Sequence, residues 1–170
     1  MVFDLADWRV EVDVEATRTR TGANASDHCE CAYCRNFYQT LARTYPGLCV
    51  ALSRLGIDPM GPSELMPFSP TVYLACYRLE GRILRWGTSE LAVGGIPIVL
   101  EAAEEEGSFF LWAGELELPW IQPEPAGEVS SPANLPEFME RMQRMWLLRH
   151  GHELTCSYNE RTAESCPLLC

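Results

Sequence analysis

The chain has 170 residues, 47% of them hydrophobic and 22% charged, a balance that suits one folded domain with a buried core and excludes wholesale disorder. Its formal charge of −11 lacks the basic footprint that a phosphate backbone requires, so nucleic acid is not expected as a partner. All 13 cationic residues are arginines, and without lysine there is no P-loop lysine, no Schiff base and no lysine general base.

The opening stretch, MVFDLADWRVEV, has neither a basic leader nor a long apolar run, so no signal peptide is expected. Nothing approaches the roughly 18 apolar residues of a membrane span, and no membrane partner is expected. Eight cysteines without a secretory signal point to a reducing cytoplasm, where thiols bind metal, do redox work or lie in a core.

Trp8, Val10, Val12 and Val14 alternate with Arg9, Glu11, Asp13 and Glu15, the pattern of a half-buried strand. Residues 17–26 (TRTRTGANAS) are polar and aperiodic and read as a loop. Asp27 stands three residues before Glu30 and gives a capping-box-like start to a helix over 27–44. Along that helix Cys31, Cys34, Tyr38 and Leu41 recur at helical spacing, with Phe37 beside them. A second helix, 46–55, follows Pro46, turns Leu48, Leu52 and Leu55 inward and stops at Gly56.

Residues 57–70 hold four prolines and cannot be one regular element. TVYLACYRLEGRILRWG reads as two β-rich runs joined by a hairpin at Glu80-Gly81, the first run apolar on both faces as in a central strand. Gly94-Gly95 reads as a flexible loop, and IPIVL (96–100) as a short strand that Pro97 places at an edge or a strand start. After the acidic turn EAAEEEG comes a last long strand, with Phe110, Trp112, Leu116 and Leu118 on one face and Glu115 and Glu117 opposite.

Five prolines make 119–136 an extended strap. Asn134 then caps a final helix, 134–149, with Phe138, Met142, Met145 and Trp146 as its apolar stripe. These elements predict an α+β fold: a curved antiparallel sheet of about five strands, two N-terminal helices and a C-terminal helix packed on it, in one domain over 1–151. Residues 152–170 read as a peripheral tail carrying Cys156, Cys166 and Cys170.

DHCECAYC places His28, Cys29, Cys31 and Cys34 within seven residues. C-x₂-C at 31 and 34 is a zinc half-site that His28 and Cys29 would complete, but four ligands on one helical turn project along a surface and not around a point. A redox pair is the second reading: a helix start favours the Cys31 thiolate, while Asp27 and Glu30 oppose it. The reading preferred from sequence is that Cys31 and Cys34 are small buried hydrophobes on the stripe of Tyr38 and Leu41, with no cofactor. Glu115 and Glu117 would meet Glu11, Asp13 and Glu15 if the first and last long strands paired, a cluster read as a solvated acidic face. His150 and His152 read as ordinary residues of a helix end.

Three stretches in order, ECAYCRNF at 30–37, LGIDP at 55–59 and ELPW at 117–120, resemble a family of small bacterial proteins to which no activity has been assigned. The likeness runs from residue 7 to about 122. If such a family shares a site, the resemblance implies Tyr33, Arg35, Asn36, Asp58 and Trp120 as its ligand or partner candidates. The preferred expectation is that Arg35 and Asn36 instead bond the G-I-D-P loop and fix it to the helix. The functional expectation is a non-enzymatic binding or interaction module for a protein or small molecule, with the Met-containing stripe packed on its own sheet or, as the alternative, pairing two chains into a homodimer. The alternative is a zinc-binding or thiol-redox protein using Cys31 and Cys34; a carboxylate hydrolase is third.

Overall fold

A computed structural model describes residues 1–26 and 29–124, all within the first of the chain's two units, Met1–Val129. The expected helix over 134–149, the tail, and His28 with Asp27 lie outside the described residues. The described elements are β1 (Val2–Leu5), β2 (Trp8–Val12), α1 (Val14–Ser26), α2 (Ala32–Thr44), α3 (Pro46–Arg54), β3 (Glu64–Pro67), β4 (Val72–Arg85), β5 (Leu91–Val93), β6 (Ile96–Ala102) and β7 (Ser108–Glu117). The fold is α+β. Its sheet is antiparallel and seven-stranded, an open and mostly uncurled path β1-β2-β4-β7-β6-β5 with β3 also paired to β4.

The strand count exceeds the expected five because Val2–Leu5, Glu64–Pro67 and Leu91–Val93 are also strands, whereas the two runs around Glu80-Gly81 are one. β4 runs straight through that dipeptide, pairing through Tyr73–Cys76 with β3 and through Gly81–Arg85 with β2. Gly81 is required for contact, not for a turn: a Cβ there would stand 2.0 Å from the carbonyl oxygen of Glu11 on β2. Between the β3 and β2 pairings, side chains accept the strand's N–H groups, Ser63 Oγ from Arg78 at 3.2 Å and Thr17 Oγ1 from Glu80 at 3.1 Å. No backbone donor is stranded there.

Thr17 lies on a helix, contrary to the loop expected for 17–26. Asp13 Oδ1 accepts the Ala16 N–H at 3.0 Å and caps α1. The buried positions of the helix are Thr17 and Thr21, so its inner face is polar and carries no hydrophobic period to read. Thr21 Oγ1 donates to the Thr17 carbonyl and accepts the Asp58 N–H at 2.9 Å. Two glycines let the following loop lie against α1: a Cβ on Gly56 would meet the Val14 carbonyl oxygen at 2.2 Å, and one on Gly61 the Thr21 carbonyl oxygen at 1.9 Å. Gly56 also ends α3 as expected, with φ +82. The Ile57 N–H bonds Leu52 and the Gly56 N–H bonds Ser53, a Schellman motif.

Gly94 and Gly95, with φ of +59 and +81, form a two-residue hairpin turn that joins β5 to β6 and sets Val93 opposite Ile96. β6 is therefore interior and β5 is the edge; Pro97 lies near the start of β6, opposite Ala92. In β7 the pairing with β4 slips between Tyr73 and Ala75, where Glu115 adopts φ +53. This bulge reverses the side-chain alternation. Phe109, Leu111 and Ala113 before it, and Leu116 and Leu118 after it, join the core. Phe110 and Trp112 thus do not share the face of Leu116 and Leu118.

The core brings these together with Trp8, Val10 and Val12 from β2, Phe37 and Leu41 from α2, and Leu48, Leu52 and Leu55 from α3. Each large apolar side chain so buried contributes roughly 1.5–3 kcal/mol. Among the described residues no helix is long and apolar enough to cross a membrane.

Candidate metal centre at the start of helix α2

The helix that carries the cysteines begins at Ala32, not at Asp27, and its N-cap is Cys31, extended at φ −65 and ψ 157. Cys31 Sγ accepts the Cys34 N–H at 3.5 Å, the bond that Ser or Asp oxygens usually make at this position. The buried face of α2 is Asn36, Phe37, Thr40 and Leu41. Cys29 and Cys31 are exposed and Cys34 is half-buried. The expectation that Cys31 and Cys34 fill the core is therefore corrected. It extends the helical period too far toward the N-terminus, across a residue that sits outside the helix.

Because Cys29 and Cys31 precede the helix, their side chains are not bound to its radial geometry. The Sγ atoms of Cys29, Cys31 and Cys34 all lie within 4.8 Å of one another. The objection from helical projection fails for this reason. Three thiolates around tetrahedral zinc, each about 2.3 Å from the ion, stand about 3.8 Å apart. Side-chain rotation of roughly an ångström closes the difference.

The thiols differ in electrostatic setting. Burial pushes the Cys31 thiol up, but the Cys34 N–H and then the Cys34 and Cys29 thiols donate to it and leave its pKa lowered. Cys34 is raised well above the ordinary thiol range, first by burial and then by its bond to Cys31 and the neighbouring thiolate charge. Tyr38 is pushed up to about 12 by burial and by the charges of Cys34, Cys29 and Cys31. A cation held by Cys29, Cys31 and Cys34 would offset this repulsion and favour their thiolate forms.

The segment after β7 packs on the same turn of α2. Asn36, fully buried, accepts the Ile121 N–H at 2.9 Å and donates to the Pro119 carbonyl at 3.1 Å and the Tyr73 hydroxyl at 3.2 Å. Arg35 bonds the Glu30 carbonyl, Gln122 Oε1 and Glu124. Tyr33 meets Trp120 edge to face, with ring centroids 5.3 Å apart. Four of the five residues implied by the resemblance thus gather beside the thiols. Asp58 stands apart, its N–H on Thr21 and its Oδ1 accepting the Met60 N–H. Arg35 and Asn36 hold residues 119–124 and not the G-I-D-P loop, which is fastened by α1 and by the Tyr77 hydroxyl donating to Pro59 at 2.8 Å. Gln122, Glu124 and the Ile121 backbone carry no sequence signal beyond following the E-L-P-W stretch.

The acidic side chains that would meet if the first and last long strands paired do not assemble, because those strands are not neighbours. β4 lies between β2 and β7, Glu11 pairs with Arg82, and Glu15 sits on α1 with Arg18. A separate cavity of about 430 Å³ opens between α3 and the sheet edges, lined by Phe3, Leu5, Ala51, Leu55, Leu91 and Val93, with Arg54 and Glu90 also on its wall.

Comparison with family models, with curated proteins and with solved structures gave no match.

Proposed function

We propose that the chain is a zinc-binding module whose ligands are Cys29, Cys31 and Cys34. The observation that carries this reading is the convergence of the three sulfurs within 4.8 Å of one another at the capped start of α2. Soft thiolates select zinc or monovalent copper over oxygen-seeking ions, and three of them leave one position open on a tetrahedral ion. A bound ion would be coupled to residues 119–124, since the same turn of α2 holds that segment through Tyr33, Arg35 and Asn36. In this reading the metal fixes a binding surface, and the protein works by recognition in a reducing compartment such as the cytoplasm. Cobalt tests the ligand set: thiolate-to-cobalt charge-transfer absorption grows with the number of sulfur ligands. Wild type should show three, the Ser variants at 29, 31 and 34 two each, and Cys49→Ser should match wild type. Absence of the band, or its survival in the triple variant, contradicts the assignment.

A second reading, a module that holds a small apolar ligand, is supported by the cavity beside α3, whose volume of about 430 Å³ falls in the range of ligand sites. An apolar fluorescent dye should bind wild type, and Ala51→Trp should abolish that binding without lowering thermal stability. Equal binding to both proteins contradicts this reading.

A further inference from the structure

We propose that the thiol site is a peroxide-sensitive switch, in which Cys31 is oxidised first, Cys34 closes a disulfide onto it, and the zinc ion is released. This rests on the zinc reading above and assigns the site its regulation. Three observations carry it. Cys31 is exposed and open to a small oxidant, whereas Cys34 is half-buried behind it. Their sulfurs lie within 4.8 Å of each other, so side-chain rotation reaches the roughly 2.05 Å of a disulfide without unwinding the helix. The backbone N–H of Cys34 points at Cys31 Sγ from the first turn of α2, where it stabilises negative charge on that sulfur.

The chemistry balances with a hydroperoxide as the oxidant. The Cys31 sulfur attacks one peroxide oxygen, the O–O bond breaks, and hydroxide leaves as Cys31 becomes a sulfenic acid. The Cys34 sulfur then attacks the Cys31 sulfur, the S–S bond forms, and the oxygen departs as water. Two thiolates lose two electrons, and hydrogen peroxide takes them up with two protons from solvent to become two waters. The ion keeps only Cys29 of its three sulfur ligands and dissociates. Cys29 is the poorer partner for Cys31, because a Cys29–Cys31 bridge would close a loop with a single residue between. Cys49 and Cys76 lie on α3 and β4, away from the site.

The test uses the full chain loaded with zinc, treated with a small excess of hydrogen peroxide beside a chromophoric zinc chelator, then alkylated and mapped by mass spectrometry. The expected result is one zinc released per chain, a Cys31–Cys34 disulfide, and rebinding of zinc after a dithiol reductant. Cys29→Ser keeps both reacting sulfurs and should still form the disulfide even where it holds zinc poorly. Zinc retained under peroxide, release with Cys31 carried to sulfinic acid, or a bridge to any other cysteine overturns the proposal. A chain that takes up no zinc before peroxide is added fails at the loading step, which overturns the zinc reading and this switch with it.

Discussion

Asn36 Oδ1 accepts the backbone N–H of Ile121 at 2.9 Å, a bond between residues 85 apart in the chain. With its donations to Pro119 and the Tyr73 hydroxyl, this buried amide satisfies three groups. Asn36→Ala removes the partner of the Ile121 N–H and of the Pro119 carbonyl, in part-buried bonds whose far ends lie on exposed residues that water can reach. A hydrogen bond of this kind contributes about 0.5–1.5 kcal/mol. Urea denaturation should show a loss of roughly 1–3 kcal/mol. A loss under about 0.5 kcal/mol, the scale of ordinary surface substitutions, would mean the segment is not anchored there.

The glycines of α1 and of the loop against it should respond in opposite directions to the same added methyl group. Gly61→Ala would put a Cβ 1.9 Å from the Thr21 carbonyl oxygen, backbone that cannot swing away. At least about 2 kcal/mol of destabilisation is expected from such overpacking. Gly22, inside α1, has nothing within 4 Å of the place an added Cβ would take. Gly22→Ala should stabilise by about 0.5–1 kcal/mol, the helix-propensity difference. Thermal melts of the two variants check both signs.

Asp7 anchors the turn that follows β4. Its carboxylate accepts the Thr88 N–H at 2.7 Å and the Ser89 N–H at 3.1 Å. Its pKa is lowered from 3.8 to about 2, chiefly by the Thr88 N–H, against a smaller upward push from burial and with further help from Ser89. A folded pKa below the unfolded one means the charged form is favoured by folding. That contribution is complete above about pH 4 and is lost as the pH falls through about 2. Asp7→Asn should flatten the acid limb of the stability profile between those values. An unchanged acid limb would remove Asp7 as its source.

Apolar elements are legible in the sequence and polar ones are not. Trp8, Val10 and Val12 announce β2 by alternation, and Leu48, Leu52 and Gly56 announce α3 and its end. Helix α1 is hidden because its buried side chains are threonines, whose role lies in bonds to Asp58 and Glu80 far along the chain. The bulge at Glu115 is equally invisible, and it moves Phe110 and Trp112 off the core face. At the site, Tyr33, Arg35, Asn36 and Trp120 do lie together, but the thiols sit elsewhere than helical spacing puts them. Extending that period back to Cys31 buries a residue that caps the helix from outside. Gly94-Gly95, read from sequence as a flexible loop, is a two-residue hairpin turn, and the Gly-Gly pair between two apolar runs is the signal that a loop reading passes over.

Tyr38 offers a check on charge at the thiols. Burial and the charges of Cys34, Cys29 and Cys31 hold its phenol up at about 12. Zinc places positive charge among those sulfurs, so loading should lower the Tyr38 pKa. Ultraviolet titration of tyrosinate, with Tyr38→Phe identifying the transition, follows this. A Tyr38 transition unmoved by the metal would separate it from the site.

The zinc reading meets its most direct test in the metal content of the 170-residue chain, purified under reducing conditions without added metal and measured by plasma mass spectrometry. One zinc per chain is expected, reduced to a small fraction in Cys31→Ser and in Cys34→Ser, and unchanged in Cys76→Ser. Metal-free wild type that also fails to take up zinc on titration would contradict that reading, as would one zinc per chain retained in both site variants.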